Sequence, residues 1–372
     1  MRRLTGKVTA ALVAILLATT PAMAKEYIFG SWFGVNHPVN VHALAPYFEK
    51  LNETTNGSVA WKLVPGAQLS NGPGTPEAVG SGLMDGGITM APYQPSMLPS
   101  TNSIFSHSLP GNDVLAATGA MNETLMLGCP GCRAEFEANG AVGFGGYSTT
   151  PYRFMCRGKL RKVADMAGLK VRGSGGGVNI VRIAGATPVS MPPSDATTAL
   201  ERGTLDCVLG AVSWLKSYGY MDVAETVIDS PMGMGGPPIL MYLNRDVWNS
   251  MSADDRAAHI RLAPGLVAGA VIEGQIEIDV AVTAAAKARG IIFVPDSAEW
   301  AAIMVERDRQ QRGINLENAK ANGAEGAGAV LDFYLAAFEK WKKLIAAKGS
   351  DSATFRKLLW DEVYSKVDPD SI

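Results

Sequence analysis

Strand-like and helix-like segments alternate twice along this chain with no low-complexity linker between the two rounds. That ordering limits the folds open to it more than any other feature. The first round opens with a β-rich segment at 27–32. Leu44, Tyr47, Phe48 and Leu51 then share one helical face within 41–54. Asn56-Gly57 ends that helix, 59–64 alternates as a strand, 76–82 is a short helix, and 87–91 is another short strand. The second round places strands at 142–144, 152–156, 170–172, 187–191 and 205–209. Between them lie a helical turn at 163–166 and helices at 178–184 and 194–202, the last capped by Ser194. Two α/β lobes with largely parallel sheets are the simplest account. Past Val247 the chain is mainly helical, with long helices over 253–289 expected to break or kink at Pro264-Gly265. Gly290 ends that run and 291–294 follows as a strand. Over 331–347, Phe333, Phe338, Trp341 and Leu344 oppose Asp332, Glu339, Lys340 and Lys343. Without a linker, several crossings between lobes are favoured over two beads on a string.

The N-terminus reads as an export signal. Arg2, Arg3 and Lys7 precede a largely apolar stretch over 8–20, Pro21 breaks it, and Ala22-Met23-Ala24 offers small residues to a signal peptidase. About 13 apolar residues are too few for a spanning helix, which needs roughly 20. Cleavage after Ala24 is therefore expected, and no cysteine follows to carry a lipid anchor. About 348 residues remain, the size of two domains. Losing three basic residues moves the formal charge from -2 to about -5. A mildly acidic chain with no Lys/Arg run longer than a pair is a poor partner for nucleic acid.

Four cysteines stay in the exported chain. Cys129-Pro-Gly-Cys132 is open to three readings: a redox pair, half a zinc site, or a short structural bridge. No second pair stands at zinc spacing, and the motif falls within a helical stretch, 117–138, not after an early strand. That context favours the bridge. Cys156 and Cys207 are a second candidate pair, although spacing does not fix the connectivity. Catalytic signatures are missing. Gly173-Ser-Gly-Gly-Gly177 lacks the third glycine of a dinucleotide fingerprint, since Val178 stands there, and lacks the Lys-Ser/Thr of a phosphate loop. Close approach of a ligand or another backbone explains these glycines better. No Gly-x-Ser-x-Gly elbow occurs, and His37, His42, His107 and His259 show no metal spacing. No enzyme, cofactor or metal is expected on these grounds.

One ordered series of motifs carries a resemblance. His37-Pro38 follows the first strand, and Thr55-Asn-Gly57 precedes the second. Pro65-Gly-Ala-Gln-Leu69 and Gly82-Leu-Met-Asp85 come next. Then follow Asp165-Met-Ala-Gly-Leu-Lys-Val-Arg172, Gly185-Ala-Thr-Pro-Val-Ser-Met-Pro192 and Ala199-Leu-Glu-Arg-Gly-Thr-Leu-Asp206. From about Tyr27 to about Asp296 the chain thereby resembles the extracytoplasmic solute receptors of TRAP transporters, the dicarboxylate-receptor family. The resemblance implies a bilobal α/β fold of the periplasmic-binding-protein kind, with interlobe crossings and a long helix spanning both lobes. On that plan lobe I takes 25–151 plus about 236–275, and lobe II takes 152–235 plus about 276–372. It also implies a monomeric periplasmic receptor that captures a small organic acid or zwitterion and hands it to TRAP permease subunits. The rival readings are an exported α/β enzyme acting on a small organic acid and a sensory receptor on the same fold.

The family's ligand-clasping arginine matches Arg172. A guanidinium fork suits that task because it fixes a carboxylate in orientation as well as charge. Arg153 matches a second arginine used by some members, with an inter-strand or hinge ion pair as its alternative. Many members continue the Asp206 motif with Gly-Gln-Glu-Asn, whose Asn touches ligand. Here Gly210 stands at that position, so a polar contact is missing and room is gained. Trp214 lies four residues on, while Trp32, Phe33, Tyr93, Tyr147 and Tyr152 fall near strand ends that should rim the cleft. These rings suit a ligand with an apolar or cationic part. His37 is expected to cap or position the first helix.

Overall fold

The protein is described here by a computed structural model covering residues 25–236 and 238–372. The expected signal peptide, with its cleavage after Ala24, lies outside the described residues. Among the described residues eleven strands form two sheets. In chain order β1 is Glu26–Gly30, β2 Ala60–Val64, β3 Gly86–Thr89, β4 Ala141–Phe144 and β5 Arg153–Cys156. Next come β6 Lys170–Arg172, β7 Thr187–Val189, β8 Cys207–Gly210, β9 Thr226–Asp229, β10 Ile239–Asn244 and β11 Ile292–Pro295.

The first sheet has the order β2-β1-β3-β10-β4 and the second β11-β9-β5-β8-β6-β7. Both are mixed, not largely parallel. β1 runs parallel to β2 and β3, but β10 lies antiparallel between β3 and β4. In the second sheet β5 lies antiparallel between β8 and β9. The reversed strands β5 and β10 are the ones entered along the two extended crossing segments, and periodicity along a single strand carries no record of direction. Each sheet has its own core. Phe29, Phe48 and Trp61 pack edge to face or stacked in the first, while Phe154, Val208, Ile228 and Trp300 fill the second. The 41–54 periodicity is realised as a wide turn, Asn40–Leu44, running into the helix Ala45–Thr54, and all four predicted apolar residues are buried.

Four connections join the lobes among the described residues, the last being the helix Ala298–Ala321 that leads from β11 back to the first lobe. The segments 145–152 and 230–236 run beside one another between the sheets. Their backbones bond from Thr149 N–H to Gly235 O at 2.8 Å, from Tyr152 N–H to Gly233 O at 2.9 Å, and from Met232 N–H to Tyr152 O at 2.9 Å. The third is a continuous 36-residue helix over 253–288. Its first half buries Ala258, Ala263, Leu266 and Val267 in the first core, and its second half buries Val282 and Ala286 in the other. The expected break at Pro264-Gly265 does not occur. An interior proline costs about 3 kcal/mol, and a helix anchored in both cores can absorb that loss.

Several boundaries move. The chain from about 276 to the C-terminus was expected in the second lobe, yet Val330, Tyr334, Phe338, Trp341, Phe355 and Leu359 all lie in the first core. The helices Ala327–Lys348 and Ser352–Glu362 therefore pack back onto the first lobe. An amphipathic pattern reveals that a face is apolar but not which lobe it meets. Phe333 is half exposed, and Tyr334 takes its place inside. Ser194 does not cap its helix; Pro192 holds the N-cap position without a side-chain bond. Cys129 does not sit mid-helix. It ends the turn Thr124–Gly128 and N-caps Pro130–Ala138, its sulfur accepting from the Cys132 N–H at 3.1 Å. Cys129 is bonded to Cys132, and Cys156 to Cys207, the latter pair facing each other across β5 and β8.

Three histidines are buried and neutral. Desolvation pushes His37 down to about 3 and His259 to about 4. His107 is lowered to about 3 by burial and by the nearby Arg307 and Arg312. The unfolded chain therefore binds more protons once the pH drops below about 6.5, so stability present above that value is lost as the pH falls. His107 and His259 should each cost about 2 kcal/mol between pH 7 and pH 5. Urea midpoints at those two pH values should fall accordingly, and His259→Gln should remove one histidine's share. An unchanged midpoint would mean that the imidazoles take up protons without leaving their sites.

Candidate functional site

Strand β6 ends at Arg172 between β8 and β7, so its carboxyl end opens towards the first lobe, where ligands of open α/β sheets sit. The Arg172 side chain is only 1 % exposed. Its Nε donates to Met191 O at 2.8 Å, its Nη2 to Ser174 Oγ at 3.1 Å, and its Nη1 more weakly to Leu209 O at 3.4 Å. The guanidinium carbon lies 5.3 Å from the Trp214 ring centroid. Every one of those partners is neutral, and among the described residues no carboxylate pairs with Arg172. Five N–H donors leave two for an incoming acceptor.

The walls around this charge are aromatic and come from three places. The first lobe supplies Trp32, Phe33, His37 and Tyr93; the crossing segments supply Tyr147, Thr149 and Tyr152; the second lobe adds Ser174, Trp214 and Tyr218. The rings touch in succession. Trp32 meets Phe33 at 4.2 Å, Phe33 stacks on His37 at 4.0 Å, His37 meets Tyr218 at 5.6 Å, Tyr218 meets Trp214 edge-on at 5.6 Å, and Trp214 meets Tyr152 at 5.4 Å. The Trp32 indole N–H is already committed to Ile88 O at 3.0 Å, leaving only ring surface for the cleft. The free space inside is about 20 Å³, room for about one water. This is a cleft with its walls drawn in, and a molecule larger than water enters only if the lobes part.

The tyrosines stay protonated. Burial pushes Tyr93 up to about 12 against the lowering pull of Arg172, and raises Tyr147, Tyr152 and Tyr218 as well. The buried Tyr93 hydroxyl has no hydrogen-bond partner, so beside Arg172 stands a second donor without an acceptor. Asp279, on the long helix, accepts from the Ser213 N–H at 2.6 Å and from the Thr150 hydroxyl. It thereby ties a crossing segment to the turn that presents Trp214. Among the described residues no group of three or more His, Cys, Asp or Glu is placed to hold a metal.

Of the residues singled out from sequence, the structure brings Arg172, Trp32, Tyr93, Tyr147 and Trp214 into one cavity. Arg153 is not there. Its Nε pairs with Asp229 on the neighbouring strand β9 at 3.1 Å, the inter-strand ion pair that was among its alternatives, and its Nη1 reaches the Pro151 and Tyr152 carbonyls. Gly210 does not line the cavity either. A Cβ at 210 would collide with the Trp214 ring, so the room gained there is filled by the indole. His37 caps the first helical turn as expected, its Nδ1 accepting from the Val39 N–H at 3.3 Å, and its ring also lines the cavity. Tyr218, Ser174 and Thr149 were missed. The aromatic run Trp214–Tyr220 was the available signal for Tyr218; nothing in the sequence distinguishes Thr149.

Close backbone approach accounts for the glycine-rich loop. A Cβ at Gly176 would overlap the carbonyl oxygen of Ser106, in the first-lobe helix Pro99–His107, and would also crowd Ser108 Oγ. The loop that follows Arg172 is thus where the second lobe's backbone seats against the first.

The family described as bacterial extracellular solute-binding protein, family 7 (DctP), matches residues 29–266. A TRAP periplasmic solute-binding protein from Bordetella bronchiseptica with bound (R)- and (S)-mandelate is similar over 85 % of this chain and 99 % of that one, with 24 % identity and a TM-score of 0.73. One from Rhodoferax ferrireducens in complex with copurified benzoate gives 19 % identity over 86 % and 99 %, with a TM-score of 0.74. One from Desulfovibrio salexigens with bound orotic acid gives 18 % over 85 % and 99 %, with a TM-score of 0.71.

Overpacking a tight contact costs about 1–3 kcal/mol. Gly176→Ala should therefore weaken capture of the solute roughly 5- to 150-fold, while the ligand-free protein keeps its melting temperature. Unchanged affinity, measured by calorimetry, would show that the lobes close without this contact.

Proposed function

The chain belongs to the DctP family, the bacterial extracellular solute-binding proteins of family 7, and from that premise we propose that it captures a small carboxylic acid carrying a ring. Members of this family are receptors and not enzymes: they bind a solute and release it unchanged. The observation that carries the choice of ligand is the buried Arg172 guanidinium, which has neutral partners only and is enclosed by rings from both lobes. A carboxylate would take its two remaining donors, with the Tyr93 hydroxyl as a third. Trp32, Phe33 and Tyr218 would then cover the rest of the molecule.

The ligands of the structural relatives support this reading. Mandelate, benzoate, orotic acid and pyroglutamic acid each join one carboxyl group to a ring. A zwitterion fits less well, because the Trp214 face that would receive a cation already receives Arg172. We place Arg172, Tyr93, Trp32, Tyr147 and Trp214 in the binding site and leave Arg153 and Gly210 in supporting positions. Export with cleavage after Ala24 would deliver the receptor to the periplasm, and the closed form would be the one that a TRAP permease reads. Ligand shifts the open–closed balance only as far as it prefers the closed state.

A thermal-shift screen of the chain from Lys25 against ring-bearing and linear carboxylates, amino acids, betaines and amines tests the proposal. A true ligand at about 100 times its dissociation constant adds roughly 2.7 kcal/mol, several degrees in melting temperature. Arg172→Ala should abolish the carboxylate hits, since stripping a buried charge pair of one partner costs about 2–5 kcal/mol. Arg172→Lys should recover only part, because a point charge does not reproduce the fork. Hits confined to amines and indifferent to Arg172 would overturn the ligand class.

A further inference from the structure

His37 is the one imidazole in the cleft wall, and its surroundings fix its protonation state. Nδ1 accepts the Val39 N–H at 3.3 Å, so the ring proton resides on Nε2. Nε2 lies 3.4 Å from the Tyr218 hydroxyl. Phe33 stacks on one face of the ring, 4.0 Å away and 10° from parallel. His37 and Phe33 belong to the first lobe and Tyr218 to the second, so this contact exists only while the lobes are together. The imidazole is 3 % exposed there.

We propose that His37 is a positioning residue that closes the cleft only in its neutral form, so that capture of an acid is gated by protonation of His37 in the open receptor. This rests on the reading of the cleft as a carboxylate site. A protonated ring would bring a second cation into a closed pocket that already holds Arg172. Nothing facing His37 offsets that charge. Tyr218 packs on it from the second lobe, and the other titratable groups of the cavity are Tyr93, Tyr147, Tyr152 and Arg172. The phenols remain neutral and the guanidinium positive across the whole range concerned. Among the described residues no carboxylate lines the cavity. Consistently, burial alone pushes the closed-state imidazole down to about 3, whereas an exposed histidine titrates near 6.5.

The sign follows. Above about pH 7 the open receptor is already neutral at His37 and closure is unhindered; as the pH falls below about 6.5 the open form gains a proton that it must release before closing. Affinity at pH 5.5 should be about tenfold weaker than at pH 8. Carboxylate ligands stay ionised over this interval, so the ligand's own titration does not contribute.

The test is calorimetric titration of mandelate and of benzoate into the chain from Lys25 at pH 8.0, 6.5 and 5.5, with His37→Gln in parallel. The glutamine carries no charge at any of these values and keeps an N–H for Tyr218. The expected result is a roughly tenfold loss of affinity in the wild type and a flat profile in His37→Gln. Binding that is flat in the wild type, or equally sloped in both proteins, overturns the role of His37 and leaves the carboxylate reading intact. Failure of both acids to bind at pH 8.0 removes the carboxylate reading and this inference together.

Discussion

A full positive charge sits almost completely out of water at the end of β6, and the rest of the cleft is organised around keeping it there. Moving an ion of this size from water into protein costs several kcal/mol even after relaxation. Two carbonyl oxygens, the Ser174 hydroxyl and the π face of Trp214 recover part of that cost with dipoles. None of them neutralises the charge. At an effective dielectric of about 20, a carboxylate 4 Å away gains roughly 4 kcal/mol, more than any single neutral partner supplies. The proposed carboxylate ligand would supply the neutralising charge that these partners lack.

The scaffold supplies the two things that such a site needs, rigidity in each half and freedom between halves. Each sheet carries its own apolar core, so each wall is fixed by packing. Between them run two crossing segments bonded to one another and one continuous helix rooted in both cores. Asp279 adds a polar tie where it matters, linking Thr150 in a crossing segment to the turn before Trp214. Motion of the crossings is thereby coupled to the ring that backs Arg172. The glycine loop then sets how far the second lobe can come, because the backbone at Gly176 rests against Ser106.

Much of this was legible in the sequence, and the losses have a common physical origin. The periodicity of 41–54 named its buried face correctly because a helical stripe is a local property. Arg172 and the aromatic rim were legible through the resemblance and through their places at strand ends. What failed was long-range. The direction of β10 and β5, the return of the 327–364 helices to the first lobe and the continuity of the long helix past Pro264 all depend on partners far away in sequence. Gly210 shows the same limit at the scale of one residue. An absent side chain looked like free space, but Trp214, four residues on, occupies it.

The tightness of the cleft has a consequence for discrimination. Walls that enclose about 20 Å³ when drawn together must be held apart by whatever they close upon, so affinity is set by how well a molecule replaces ring-to-ring contact with contacts of its own. A flat acid exchanges aromatic packing for aromatic packing and adds the charge interaction at Arg172. A linear acid of the same charge leaves ring faces unfilled, and each lost apolar contact area costs about 25 cal/mol per Å². On the proposed reading, charge alone would admit any carboxylate to the open receptor, and the rings would decide which of them the closed form retains.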